Sequence, residues 1–166
     1  RSIFIYDNTD DGLGWWTRFT HHIPTGYYGY PYDYHPHTER HLPRISEHGG
    51  GSPVGAACYR EAVWPPQFRD AAFHCEWGKG KVQVFYPKPE GASFTAEMED
   101  FLVPEPGSVF RPQDLCFSPD GRLLCTGSDD GTARIFDMQS GRQLLNIMHG
   151  DRVRAASFSP EDRKST

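Results

Sequence analysis

The sequence contains no long hydrophobic run. Hydrophobic residues make up 37% of its 166 positions, whereas a membrane-spanning helix needs about 20 consecutive apolar residues. We therefore predict no membrane-spanning segment. The sequence also begins at Arg1, without a methionine or a signal-like region. This start predicts a segment of a longer chain, so the lack of a targeting signal carries no information about export.

Clusters of lysine and arginine are also missing. The chain has 17 Lys and Arg against 22 Asp and Glu, and its formal net charge is -5. Proteins that bind nucleic acids neutralise phosphates with grouped basic side chains. We therefore expect no nucleic acid partner.

Cysteine is scarce, and its spacing forms no known motif. The four cysteines are Cys58, Cys75, Cys116 and Cys125, and no two of them form a Cys-x-x-Cys pair. That pair is typical of structural zinc sites and thioredoxin-type motifs, so we predict neither. Spacing alone leaves a disulfide open.

Glycine and proline, in contrast, are abundant, with 17 and 14 residues, and 14% of the chain is aromatic. Frequent turns leave little room for long helices, so the composition favours an all-β chain. Residues 13–55 are mostly loop by composition, and we expect this long, aromatic-rich loop to pack through its own side chains. Strands are predicted over 2–6, 55–60, 72–77, 81–85, 94–103, 123–127, 132–137, 143–148 and 153–158, and a strand running into a turn over 115–121.

A short motif recurs at a fixed spacing. Phe117-Ser118-Pro119 returns as Phe158-Ser159-Pro160, 41 positions later, which is the period of a propeller blade. Repeated four-stranded units are how a propeller limits exposed sheet edges. The predicted fold is therefore a partial β-propeller made of antiparallel four-stranded blades, with the long aromatic-rich loop between strands.

Residues 114–166 resemble a WD40 repeat and the start of a second one. The resemblance rests on Phe-Ser-Pro-Asp-Gly at 117–121, Gly-Ser-Asp-Asp-Gly-Thr at 127–132 and Ile-Phe-Asp at 135–137. WD40 propellers recruit proteins on their flat faces, so the resemblance implies a protein partner.

The WD40 resemblance also implies a structural hydrogen-bond relay that locks the blade, built in the family from a His, a Ser or Thr, an Asp and a Trp. Ser128 and Asp130 match it, but Phe136 replaces the Trp and cannot donate a hydrogen bond. No His stands at the expected place upstream. The incomplete relay predicts a loosened blade.

Residues 1 to about 121 resemble a different propeller family, the glucose/sorbosone dehydrogenase-like proteins, particularly large bacterial membrane-bound dehydrogenases. The resemblance implies a six-bladed propeller; soluble members of the family oxidise sugars with pyrroloquinoline quinone (PQQ) and calcium. It also suggests a periplasmic or extracytoplasmic location. The residues that carry it are Tyr6-Asp7-Asn8, Thr20-His21-His22 and the stretches 26–31, 49–56, 75–82 and 110–115.

The two resemblances meet at the strand and turn 115–121, which both families tolerate. We therefore predict two regions, a dehydrogenase-like segment over 1–113 and a WD40-like repeat over 114–166. A natural hybrid, an assembly error and a constructed sequence would all have this appearance.

The segment after the first predicted strand offers several oxygen ligands. Asp7, Asn8, Thr9 and Asp10 follow one another there, and calcium takes about six to eight oxygen ligands. The dehydrogenase resemblance assigns this segment to a loop that touches calcium and PQQ. A solvated turn is the alternative, because Asp and Asn favour turns anyway.

Two basic residues, Lys79 and Arg111, are candidates for binding PQQ by the same resemblance, with Gln113 and Asn8 beside them. PQQ is a tricarboxylate, and carboxylates are bound well by an Arg fork or a Lys charge. Ordinary surface charge in turns is the alternative interpretation.

His21 and His22 are weak candidates for the catalytic base that assists hydride abstraction. Adjacent residues of a strand point to opposite faces, so only one of them would face the propeller axis. The resemblance places the family's catalytic His upstream of Arg1, which favours a structural role for both.

Three functions stay open at this point. The chain is a fragment of a PQQ- and calcium-type sugar or alcohol dehydrogenase, inactive alone; or a WD40-type protein-interaction scaffold; or a chimeric or truncated fragment without independent function. Unpaired strand edges would favour self-association in the third case.

Overall fold

The computed structural model describes residues 2–8, 13–30, 33 and 37–159. Within them the chain is all-β, with eleven strands in three antiparallel sheets. Sheet 1 contains β1 (Ile3–Tyr6), β2 (Arg18–His22) and β3 (Ser46–Glu47). Sheet 2 contains β4 (Pro53–Cys58), β5 (Ala72–Glu76), β6 (Lys81–Glu90) and β7 (Ser93–Leu102). Sheet 3 contains β8 (Pro112–Phe117), β9 (Leu123–Ser128), β10 (Thr132–Asp137) and β11 (Gln143–Met148).

Helical structure in the described part of the chain is limited to two short 3-10 helices, Thr38–Arg40 and Pro66–Phe68. No helix there has the length and apolar character needed to cross a membrane. Pro66 stands in the first turn of the second helix, where proline is tolerated.

Each sheet is a meander in which every strand pairs with the strand before it. The β5–β6 and β9–β10 hairpins close through glycine, and Gly80 and Gly131 have φ angles of +68° and +81°. That left-handed region costs glycine little. A Cβ at position 80 would also lie 2.6 Å from the Phe110 carbonyl oxygen, so this turn has no space for a side chain.

Sheet 2 lies between the other two sheets and buries both of its faces. On β5 and β6, alternate residues point to opposite faces, as a pleated strand requires. On one face, Phe73, Cys75, Val82 and Val84 pack with Leu115 and Leu124 of sheet 3 in the larger core. On the other face, Ala72 and Phe85 pack with Tyr6 and Phe19 of sheet 1 in a smaller core.

The first strands of sheets 2 and 3 approach each other closely. A Cβ on Gly55 of β4 would lie 2.6 Å from both the Asp114 Cα and the Gln113 carbonyl oxygen of β8. Only glycine permits this contact between two backbones. Sheets 2 and 3 therefore converge along β4 and β8, as blades converge toward the axis of a propeller.

Three stacked antiparallel sheets with this strand order confirm the prediction of an all-β, partial β-propeller. The long loop also packs as predicted. Tyr28 stacks on His22 with ring centroids 3.8 Å apart, and its hydroxyl donates to the His21 carbonyl at 2.7 Å.

Residues 13–55 are mostly loop, as predicted, but they also contain two short strands that were not predicted, β2 and β3, which complete sheet 1. The prediction of a strand over residues 153–158 was wrong, since these residues form no strand. This segment lies along sheet 3 with isolated bonds, such as Val153 N to the Ser128 carbonyl at 3.0 Å, because it has no ladder partner within the described residues.

The predicted boundary between residues 113 and 114 falls inside β8, which begins at Pro112. Sheet 3 is thus one continuous unit across that position. The division into two regions of different ancestry stays a prediction.

His74 of β5 gives the fold a pH dependence that we can state in advance. Its side chain is enclosed by the rings of Tyr6, Phe19 and Phe85, and burial lowers its pKa to about 4. In the unfolded chain the pKa is about 6.5. The unfolded chain thus binds more protons between these values, so stability is complete above about pH 6.5 and falls as the pH drops toward 4, by about 3 kcal/mol at most.

Urea unfolding at about pH 7 and about pH 4.5 measures this loss as a change in the free energy of unfolding. His74→Phe should flatten the slope, leaving the smaller contribution of His48, whose pKa burial and then Lys79 also lower. His149→Phe, at an exposed position, should leave the slope as it is. An unchanged slope in His74→Phe would refute the assignment.

Candidate interaction site at the loop end of the sheets

Several turns and connections gather at one end of the three sheets, which we call the loop end. It consists of the β5–β6 turn (77–80), the β9–β10 turn (129–131), and the connections 48–52 and 103–111. Asp7 and Asn8, which follow β1, lie at the same end, because Asp7 pairs with Arg18 at the start of β2.

A buried carboxylate at the end of β5 holds the β5–β6 turn in place. Glu76 is fully buried, and its carboxylate accepts from the Ser52 amide and, at 2.5 Å, from the Lys79 amide. A Cβ on Gly51 would lie 2.5 Å from Glu76 Oε1, so the connection can pass this close only with glycine there. Charged acceptors make strong bonds to backbone amides, and this one fixes two loops together.

Trp77 connects the turns of sheets 2 and 3. Its indole N–H donates to the Asp129 carboxylate at 2.9 Å. The Arg111 guanidinium lies 5.0 Å from the ring centroid of Trp77, within the range of a cation–π contact. Arg111 also donates to the carbonyls of Trp77 and Gly78, at 2.7 Å and 2.6 Å. We call Trp77, Arg111 and Asp129 the bridging triad.

The Asp129 carboxyl is held in its charged form. Burial pushes its pKa upward, but the Trp77 N–H, the Gln113 amide and the nearby Arg152 and Arg154 together bring the pKa below its usual value. The bridging triad therefore keeps a negative and a positive group side by side, close to a half-exposed aromatic ring.

The β9–β10 turn has its own network around Asp130. Its carboxylate accepts from the Thr132 amide and hydroxyl at 3.1 Å and 2.6 Å and from Arg134 at 2.7 Å. The Arg134 guanidinium also lies 5.2 Å from the Phe110 ring. Arg134 therefore gives Asp130 a charged partner within the same hairpin.

The residues predicted to bind PQQ lie at the loop end, but three of the four, Lys79, Arg111 and Gln113, have a protein partner. Lys79 Nζ donates to the His48 carbonyl at 2.8 Å, Arg111 to the two carbonyls of the turn, and Gln113 faces Asp129. These side chains do not present a ready set of donors for a tricarboxylate. We derive no chemistry through PQQ, and its binding stays a prediction.

The predicted calcium ligands are described only in part. The Asp7 carboxylate accepts from Arg18 at 2.9 Å and 3.2 Å, and Asn8 is exposed. Thr9 and Asp10 lie outside the described residues. In the part of the chain that the structure covers, no three His, Cys, Asp or Glu side chains are grouped as metal ligands, so calcium binding also stays a prediction.

His21 and His22 lie at the opposite end of sheet 1, away from the loop end. His21 packs against Phe94 with ring centroids 4.8 Å apart. His22 stacks on Tyr28, and its pKa is lowered by burial. The structure therefore does not bring these two candidates together with Lys79, Arg111 or Asp7.

Comparison with known proteins finds a match in the region of sheet 3. Residues 108–137, which contain β8, β9 and β10, match the family model "WD domain, G-beta repeat". A guanine nucleotide-binding protein subunit beta from Solanum tuberosum is 54% identical over 37 residues, 21% of this chain and 10% of that protein. The ribosome biogenesis protein erb1 of Neosartorya fischeri is 44% identical over 41 residues, 25% of this chain and 5% of its own length.

A third relative, the small ribosomal subunit protein RACK1 of Caenorhabditis elegans, is 42% identical over 43 residues, 26% of this chain and 13% of that protein. The chain thus spans only a small part of the length of the curated relatives it matches. No solved structure is matched. The repeat that the sequence predicted is confirmed, and these findings give no support to the dehydrogenase resemblance.

A double-mutant cycle tests the bridging triad. Trp77→Phe keeps an aromatic ring beside Arg111 but removes the indole N–H, and Asp129→Ala removes its acceptor. Because the bond joins a donor to a charged acceptor, we expect a coupling of about 1–2 kcal/mol in the free energy of unfolding. Trp77→Phe combined with Asp151→Ala, at an exposed position, should show none. Additive losses for Trp77→Phe and Asp129→Ala would contradict the bond.

Proposed function

We propose that this chain is part of a protein-interaction scaffold and that the loop end receives the partner. The observation that carries the proposal is the match of residues 108–137 to a WD40 repeat. These residues contain three of the four strands of sheet 3, which is stacked on a second sheet of the same strand order. Stacked sheets fix the positions of their connecting turns, and binding residues are often placed on such loops.

The names of the relatives support this role. One is a subunit of a guanine nucleotide-binding protein, and another is a protein of the small ribosomal subunit. Both names describe members of larger assemblies. We extend to this chain only the general role of a component that contacts other proteins.

The chemistry of the loop end also suits a protein surface. The bridging triad offers Trp77 and Arg111, residue types enriched among those that dominate binding energy at interfaces. The triad is held by hydrogen bonds between two sheets, so little side-chain entropy is lost when a partner binds. Lys79 stands exposed beside it and adds a charge at the edge of the surface.

Charge reversal at Lys79 tests the proposal. Lys79→Glu should weaken binding of the partner about tenfold or more, because a rim charge contributes to electrostatic steering and complementarity. Lys88→Glu is the matched control, since Lys88 is also an exposed lysine, near the far end of β6. Capture from an extract of the source organism with tagged chain, followed by titration of the purified partner, measures both.

The scaffold proposal requires a partner that the unmodified chain and Lys88→Glu bind equally and Lys79→Glu binds less well. Equal loss in both variants would indicate a non-specific charge effect and reject the loop end as the surface. A chain that enriches no stoichiometric partner would reject the scaffold itself.

A PQQ- and calcium-binding role is the second hypothesis. Its support is the resemblance of residues 1–121 and the location of Asp7, Lys79 and Arg111 at one end of the sheets. Calorimetric titration with PQQ in the presence of calcium should give saturable heat that Lys79→Glu reduces and Lys88→Glu retains, with no turnover of sugar in a dye assay. Heat no larger than dilution would refute it.

A further inference from the structure

Cys116 and Cys125 are directly opposed in neighbouring strands. The register of β8 and β9 pairs these two residues with each other. Opposed residues of an antiparallel pair have Cβ atoms about 4.5–5.5 Å apart on the same face of the sheet. Disulfides join residues whose Cα atoms are about 4.4–6.8 Å apart, so these two thiols stand within reach of a covalent bond.

The two thiols also lie on the less covered face of sheet 3. Their strand neighbours Leu115 and Leu124 point into the core against sheet 2, so Cys116 and Cys125 point to the other side. Among the described residues, the segment 152–159 covers that side, and its Ala156 amide donates to the Asp114 carboxylate at 3.2 Å. Cys116 keeps intermediate exposure and Cys125 is 8% exposed.

We propose that Cys116 and Cys125 form an oxidisable dithiol, which a small peroxide converts reversibly to an intramolecular disulfide. All four cysteines are free thiols in the structure, and this is the pair that the strand register opposes. The low exposure of Cys125 favours a small oxidant such as hydrogen peroxide over a bulky disulfide.

Hydrogen bonding between the two thiols shifts their pKa values in opposite directions. The S–H of Cys116 donated to Cys125 lowers the pKa of Cys125, outweighing the burial that raises it. The same bond, and then burial, raise the pKa of Cys116. Because the thiolate is the nucleophile, the member of the pair that loses its proton is the attacking sulfur and the other member is the resolving one.

The reaction is balanced with peroxide as the oxidant. The thiolate of one cysteine attacks one peroxide oxygen, the O–O bond breaks, and the hydroxide leaving group takes up a proton to become water; that cysteine becomes a sulfenic acid. The sulfur of the other cysteine then attacks the sulfenic acid sulfur, the S–O bond breaks, and a second water leaves with the proton of the second thiol. Two thiols and one hydrogen peroxide thus give one disulfide and two waters.

Peptide mapping tests the proposal directly. The reduced chain is treated with limiting hydrogen peroxide, its remaining thiols are alkylated, and it is digested with trypsin, which cleaves after Arg122 between the two cysteines. We expect two linked peptides, containing Cys116 and Cys125, that have lost two hydrogens and separate on reduction. Cys58→Ser should keep this product, because Cys58 lies in sheet 2, whereas Cys116→Ser and Cys125→Ser should lose it.

Two further measurements keep the outcome clear if a variant folds poorly. Arsenite, which is small and bridges neighbouring thiols, should bind the unmodified chain one to one without any oxidation. In Cys116→Ser and in Cys125→Ser, dimedone should trap a sulfenic acid on the remaining cysteine of the pair. Oxidation that joins chains through Cys58 and leaves residues 116 and 125 reduced would overturn the proposal, as would a failure to bind arsenite.

Discussion

The structure depends on one constraint: a sheet that is apolar on both faces must be covered on both faces. Sheet 2 is such a sheet, since Phe73 and Val84 face sheet 3 while Phe85 faces sheet 1. Exposure of either apolar face to water is unfavourable, and burial of apolar area is the main favourable contribution to folding. Sheets 1 and 3 cover the two faces of sheet 2. The close approach of β4 and β8 at Gly55 brings one edge of sheets 2 and 3 together, so that the sheets are arranged around an axis.

The same stacking produces the loop end. Because sheets 2 and 3 are stacked and have the same strand order, their equivalent turns lie next to each other. Glu76 anchors the first turn, and the bond from Trp77 to Asp129 ties it to the second. The polar groups that form the surface are therefore also the groups that hold the turns. A substitution among them would change both the surface offered to a partner and the stability of the stacked sheets.

The strands with clear alternation and glycine turns could be predicted from the sequence, most accurately β10 and β11, whose bounds match the predicted ones. The strand β2 was missed because Arg18–His22 is polar and lies in a region rich in loop residues, and its burial comes from contacts with sheet 2 that no local pattern records. The WD40 repeat was identified because its motif is local.

The site was harder to predict than the fold. Lys79 and Arg111 were singled out as binding residues, but the sequence could not show that their donors are occupied by carbonyls of the His48 connection and the Trp77 turn. The role of Trp77 was missed as well. Its partner Asp129 lies 52 residues away in the sequence, so no local pattern connects the two residues. The signal in the sequence was a large aromatic residue in a polar, glycine-rich turn, a position where a core side chain is not expected.

The meander order of the sheets has a consequence for how the chain acquires its structure. Every ladder joins strands that are consecutive in the sequence. Apart from residues 23–45 between β2 and β3, the loops closed in pairing them are therefore short, and their entropic cost is small. Folding rates rise as contacts become more local. During synthesis each meander can therefore form as soon as it leaves the ribosome, and the docking of one finished sheet on the previous one is the step that requires contacts of long range.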